Sequence, residues 1–116
     1  MFDFEKLDVY QVVKEQNIKA LKYIYSDTKL DDYIKEQWKH ASLSILLNLA
    51  EGTSRMTNAD KKEYLAIARG SVFESVAILD TLKGLNLIED SLYKEFYDNY
   101  ETISKTLLGM FRSYNN

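Results

Sequence analysis

The sequence predicts an all-α fold, an antiparallel up-down-up-down four-helix bundle, with residues 1–116 forming one domain. Three observations carry this expectation. The chain contains no Pro and only four Gly, whereas turn-rich β folds use both residues heavily. Apolar residues recur at steps of three and four along four successive segments. The connections between those segments are roughly three to seven residues long, short enough to make consecutive helices antiparallel neighbours.

The first helix is expected over residues 5–26. Val9, Val13, Ala20 and Ile24 share one face, with Asn17 interrupting the stripe, and Asp27-Thr28-Lys29 reads as a turn. The second is expected over 31–51, where Ile34, Trp38, Ala41, Ile45 and Leu49 form the main stripe. Leu43, Leu46, Leu47 and Ala50 add apolar groups on other faces, so the second half of this helix should meet more than one neighbour. Gly52 is its expected C-terminal stop. The third begins at Thr57 or Asn58, with Thr57 and Asp60 in capping-box positions. Leu65, Ala68, Val72, Leu79 and Leu82 line one face, and Gly84 ends it. The fourth runs from Asp90 or Ser91 to about residue 114. Leu92, Phe96, Tyr100, Ile103, Leu107, Met110 and Tyr114 give it the cleanest stripe in the chain.

Composition narrows the function classes. With 46% hydrophobic residues, a chain of 116 residues can bury a core without a metal or disulfide to hold it. Cys is absent, which removes thiolate chemistry and fits the cytoplasm. The opening Met-Phe-Asp-Phe-Glu-Lys has no basic region followed by an apolar run, so no signal peptide is expected. The longest apolar-rich stretch, residues 41–50, is broken by Ser42, Ser44 and Asn48, so no membrane span is expected. The net charge of −3 argues against a general affinity for DNA or RNA, because phosphate binders carry a surplus of Lys and Arg. Nine Tyr, five Phe and one Trp are more than so small a core can hide. Trp38, Tyr33, Tyr93, Tyr97, Phe111 and Tyr114 are therefore expected to lie partly between subunits.

Catalytic constellations are missing from the pattern. His40 is the single His, too few for a metal site or a triad. Asp31-Asp32 and Glu89-Asp90 sit at helix starts, where they serve caps and the helix dipole. Gly52, Gly70, Gly84 and Gly109 are too far apart to form a phosphate loop. No cofactor, metal or small-molecule substrate is expected.

Two polar groups remain as candidates. Asn48 and Glu51, with Arg69, Ser71 and Glu74 opposite them in the hairpin, are expected to form a hydrogen-bonded and ion-paired network, with Arg69 paired to Glu51, or an interaction site. Arg55, Lys61, Lys62 and Arg69 form a basic cluster, read as a solvated face or as RNA-contact candidates. Gly70, Ser71 and Ser75, with Ala41, Ser42 and Ser44, are small enough to let a neighbouring helix or subunit approach closely. Trp38, Leu43, Leu46, Leu47 and Phe111 are the subunit-interface candidates.

The segment Gln37-Trp38-Lys39-His40-Ala41-Ser42-Leu43-Ser44-Ile45-Leu46-Leu47-Asn48-Leu49-Ala50-Glu51-Gly52 resembles the Q-x-x-R-A-x-x-S-I-x-x-N-I-A-E-G signature of the four-helix-bundle proteins encoded in intervening sequences of bacterial 23S ribosomal RNA genes. Ala68-Arg69-Gly70-Ser71-Val72-Phe73-Glu74 is similar to that family's A-R-G-S-x-x-E, and Phe4-Glu5-Lys6-Leu7-Asp8-Val9-Tyr10-Gln11 to its opening F-x-x-L-x-V-W-Q. The resemblance implies a four-helix bundle assembled as a ring, a pentamer. It also implies kinship with the accessory variability protein of diversity-generating retroelements, a basic relative that binds nucleic acid and partners a reverse transcriptase. This chain departs from the pattern at His40, where the family often has Arg, at Leu46, where many members have Pro, and in its acidic balance. The expectation is a non-catalytic, cytoplasmic, homo-oligomeric scaffold. The alternative is an accessory factor that binds structured RNA or a nucleoprotein.

Overall fold

The structure, a computed structural model, describes residues 1–26 and 29–115. A 3-10 turn over Asp3–Lys6 leads into four helices: α1, Asp8–Ser26; α2, Asp32–Ser54; α3, Asn58–Gly84; and α4, Asp90–Ser113. Of the expected Asp27-Thr28-Lys29 turn, Asp27 and Thr28 lie outside the described residues. Each helix packs on the next, and α1 closes the bundle against α4. Side-chain contacts give the directions. Asn17 reaches Ser42, Ser44 meets Ser71, Arg69 meets Ser104, and Gln16 meets Phe96 and Asn99. Within each consecutive pair the contacts run in opposite sequence directions: Asn17 with Ser42 and Tyr23 with Trp38, Ser44 with Ser71 and Gly52 with Tyr64, Arg69 with Ser104 and Asp80 with Tyr93. The bundle is therefore up-down-up-down, as the short connections require.

The caps follow the sequence closely. The Asp31 carboxylate accepts from the backbone N–H of Tyr33 and Ile34, and the Thr57 hydroxyl accepts from that of Asp60 at 3.1 Å. Two stops differ from expectation. Gly52 does not end α2, which continues to Ser54. It is buried where α3 crosses, and a Cβ built there would lie 3.1 Å from Tyr64 Cβ, so its small size serves helix approach. Helix α3 does finish at Gly84, but the turning residue is Asn86, at φ 56°. The amides of Asn86 and Leu87 bond back to the carbonyls of Lys83 and Leu82, the Schellman pattern that closes a helix end.

The core holds the predicted stripes of all four helices in one contiguous cluster. At its centre is Trp38, 0% exposed, which overturns its place among the interface candidates. Its indole packs edge-on to Phe96 (5.5 Å between ring centres) and Tyr23 (5.9 Å), and its Nε1–H donates to the Tyr100 hydroxyl at 3.1 Å. A buried Trp needs such an acceptor, and a bundle core supplies few. The other aromatic residues divide. Tyr93, Phe111 and Tyr114 are partly buried against the core, whereas Tyr33 and Tyr97 are exposed. Leu46, also an interface candidate, packs against the core rather than outward.

A polar layer accompanies this aromatic centre. Asn17, which interrupts the stripe of α1, donates to the Ser42 carbonyl at 2.6 Å. Gln16 donates to the Phe96 carbonyl at 2.9 Å and accepts from Asn99 at 3.2 Å. Burial pushes the Tyr100 phenol above its ordinary range, and Trp38, Ser42 and Ser75 beside it oppose part of that rise. Farther along the α3–α4 seam, the Tyr93 hydroxyl donates to Asp80 at 2.6 Å. That bond, with some burial and the charge of Asp80, raises Tyr93 to about 12.

Tyr100→Phe leaves the Trp38 N–H buried without its acceptor, at a cost of about 1–3 kcal/mol. Denaturant unfolding should show this loss, and adding Trp38→Phe should change stability by less than the sum of the two single effects. Asp80→Asn should bring the Tyr93 titration, followed by NMR of its ring carbon, down from about 12 toward 10. The folded-state value is the raised one, so the stabilisation from this bond is complete below pH 10 and fades as the pH climbs through about 12.

Candidate functional site

The residues expected to form one hairpin network separate into three groups. Between α2 and α3, the Ser71 hydroxyl donates to Ser44 Oγ at 2.7 Å, with the Ile67 carbonyl 3.2 Å away as a second acceptor. Asn48 Nδ2 donates to the carbonyl and hydroxyl of Ser44 at 2.8 and 3.0 Å. This group ties the hairpin together. At the end of α2, Glu51 pairs with Arg55 one turn on, and not with Arg69. Arg55 also donates to the Tyr64 hydroxyl at 2.6 Å and lies over that ring, and Lys61 donates to the Thr53 carbonyl at 3.3 Å. The third group is on the far side of α3. There Arg69 Nε donates to the Ser104 carbonyl of α4 at 3.2 Å and its guanidinium covers the Phe73 ring.

Helix geometry explains the correction. Arg69 and Ser71 are two residues apart, about 200° around the helix axis, so both cannot face α2. Ser71 does, and Arg69 turns to α4. Glu74 is exposed on the outer side of α3 and takes no part in the hairpin contacts described above.

The basic cluster is also dispersed. Arg55, Lys61 and Arg69 hold the contacts just given, and Lys62 lies 4.6 Å from the centre of the Phe111 ring. A phosphate approaching any of these four cations competes with a partner already in place.

The outer face of α2 and α3 has a different character. Leu47 is 60% exposed and Leu43 lies one turn before it. On α3, the exposed positions between residues 66 and 77 are Ala66, Ile67, Gly70, Phe73, Glu74 and Ala77, of which Glu74 alone is charged. The exposed positions of α4 include Lys94, Glu95, Asp98, Glu101, Lys105 and Arg112. Exposed charge is thus thinned in the middle of α2 and α3, where residues 41–50 expose none and residues 66–77 expose Glu74 alone, and it resumes toward their ends. Gly70 belongs to this open face. A Cβ added there meets nothing within 4 Å, so no helix of the same chain uses its small size. Beside it, α3 and α4 enclose a surface groove of about 280 Å³ lined by Leu65, Ala66, Arg69, Gly70, Phe73, Leu108 and Phe111. Phe111, named from the sequence as an interface candidate, is one wall of that groove.

Ile67 and Phe73 were not singled out by the sequence pattern. Both are apolar residues lying off the Leu65–Ala68–Val72–Leu79 stripe, and that displacement is the signal that marks them. Among the described residues, no group of three His, Asp or Glu side chains could hold a metal, and His40 is exposed. No described helix is long and apolar enough to cross a membrane.

The chain is similar to a solved structure of a protein of unknown function from the S23 ribosomal protein family of Bacteroides thetaiotaomicron VPI-5482. The two are 20% identical, the match covers 90% of this chain and 99% of that one, and the TM-score is 0.83. That likeness carries the fold. No curated protein matches the sequence. The family described as 23S rRNA-intervening sequence protein matches residues 5–109, nearly the whole bundle from the 3-10 turn into the last turns of α4. The chain belongs to the 23S rRNA-intervening sequence protein family.

Proposed function

We propose that this protein is a non-catalytic, cytoplasmic scaffold that assembles with copies of itself into a ring, a pentamer as its family resemblance implies. The observation that supports this reading is the exposed apolar side chains in the charge-poor middle stretches of two helices, Leu43 and Leu47 on α2 and Ile67 and Phe73 on α3. Exposed apolar side chains grouped where charge is scarce are a mark of interaction surfaces. Burying what remains exposed of Leu47 or Phe73, a little over half of each, is worth about 1–2 kcal/mol apiece, because apolar area leaves water. The chain carries net charge −3, so copies of it repel over most of their surface and least where charge is absent.

The second reading, an RNA- or nucleoprotein-binding accessory factor, draws on the family's connection to 23S rRNA and on Arg55, Lys61, Lys62 and Arg69. The engaged state of all four cations makes it the weaker of the two.

Light scattering at micromolar concentration should give an assembly several times the 13.5 kDa chain mass. Leu47→Glu and Phe73→Glu should each dissociate it while leaving the helical circular dichroism intact. A parent protein that is monomeric under these conditions rejects the scaffold. Retardation of structured ribosomal RNA that falls steeply with salt and disappears in Lys61→Glu/Lys62→Glu would favour the second reading instead.

A further inference from the structure

We infer that the α3–α4 groove beside Gly70 is the seat of a second copy of this chain, and that what enters it is the apolar edge formed by Phe2 and Leu47. The inference rests on the self-assembly reading above and goes further, because it names two different surfaces that must meet.

The groove is a receptor by shape and composition. Its floor is opened by Gly70, whose missing side chain has no counterpart within 4 Å in the same chain. Phe73, 56% exposed, and Phe111 form its walls. The only charge among its lining residues is Arg69, and Lys62 lies over Phe111 at its edge. No carboxylate lines it, so in an acidic protein this groove is apolar with a positive border.

The edge has the opposite features. Leu43 and Leu47 continue along the outward side of α2 to Ala50 and Glu51, where the 3-10 turn packs and leaves Phe2 72% exposed. Asp3 and Glu51 stand beside these apolar groups. The edge is therefore an apolar ridge with a negative border, complementary in form and charge to the groove. Asp3 and Glu51 pair with Lys6 and Arg55 at exposed positions, and such pairs are weak enough to rearrange.

Their placement decides the kind of assembly. Phe2 and Ala50 lie near the end of the bundle where α2 finishes, and the groove lies toward the end where α3 starts and α4 finishes. In an up-down bundle these are the same end. The edge is on the α1–α2 flank and the groove on the α3–α4 flank. Unlike patches pair reciprocally about a two-fold axis only when both fall within one interface, and patches on opposite flanks of the bundle do not. They pair head to tail, and a head-to-tail contact that closes makes a ring. A foreign partner would need only one of the two patches, whereas a second copy uses both.

A complementation experiment with full-length chains tests this. One variant, Phe2→Asp/Leu47→Asp, damages the edge alone, and another, Gly70→Trp, fills the groove alone. Gly70→Trp places its side chain in open space, and circular dichroism of both variants verifies that each folds. Each should lose self-association by at least about a hundredfold, equivalent to removing roughly two well-buried apolar contacts. Mixed together, the intact groove of the first and the intact edge of the second make one good contact, so analytical ultracentrifugation should show a 1:1 heterodimer that grows no further. Variants that stay assembled, or a mixture that stays monomeric while the parent protein assembles, overturn these surfaces and leave the scaffold reading standing. A parent protein that is itself monomeric removes both.

Discussion

The bundle depends on one buried contact, the hydrogen bond from the Trp38 indole to the Tyr100 hydroxyl. Apolar stripes alone permit helices to slide or rotate by a turn with little penalty, since one Leu packs much like another. A buried N–H that finds an acceptor in one register and none in the next removes that freedom. Trp38 fixes α2 against α4 in this way. Asn17 fixes α1 against α2, Gln16 and Asn99 fix α1 against α4, and Ser44 with Ser71 fixes α2 against α3. Together these bonds link every neighbouring pair except α3 with α4. That seam is held at its surface by Arg69 on the Ser104 carbonyl and by Tyr93 on Asp80.

The same economy shapes the exterior. The polar residues of the family signature, Asn48, Glu51, Arg69 and Ser71, are used within the chain, which leaves the outer positions of α2 and α3 to Leu43, Leu47, Ile67, Gly70 and Phe73. The cations read from the sequence as RNA contacts are directed inward or along the surface to Tyr64, Thr53, Phe111 and Ser104. They tie down helix ends and the α3–α4 seam, which is a structural use of charge.

Two glycines separate the inside from the outside. Gly52 is needed because Tyr64 of α3 passes close to it, whereas Gly70 faces open space. Glycine inside a helix costs about 1 kcal/mol relative to alanine. At Gly52 the close helix crossing accounts for its presence, and at Gly70 a partner outside the chain does so under the reading proposed above.

The sequence by itself determined the four helices, their antiparallel order, the caps at Asp31 and Thr57, and the residues of the core stripes. Each of these follows from local spacing, because a 3.6-residue period and a capping side chain act within one or two turns. It also placed Leu43, Leu46, Leu47 and Ala50 off the main stripe of α2, and of these Leu43 and Leu47 stand exposed while Leu46 packs against the core. Only the tertiary structure decided which side each remaining residue faces. Trp38, on the main stripe of α2 and yet an interface candidate, is wholly enclosed and finds its acceptor on Tyr100, 62 positions away. Arg69 turned to α4 rather than to Glu51, and Gly52 became a crossing point rather than a stop. These outcomes depend on the rotation of each helix about its own axis. That rotation is set by contacts between distant segments, which no local pattern encodes.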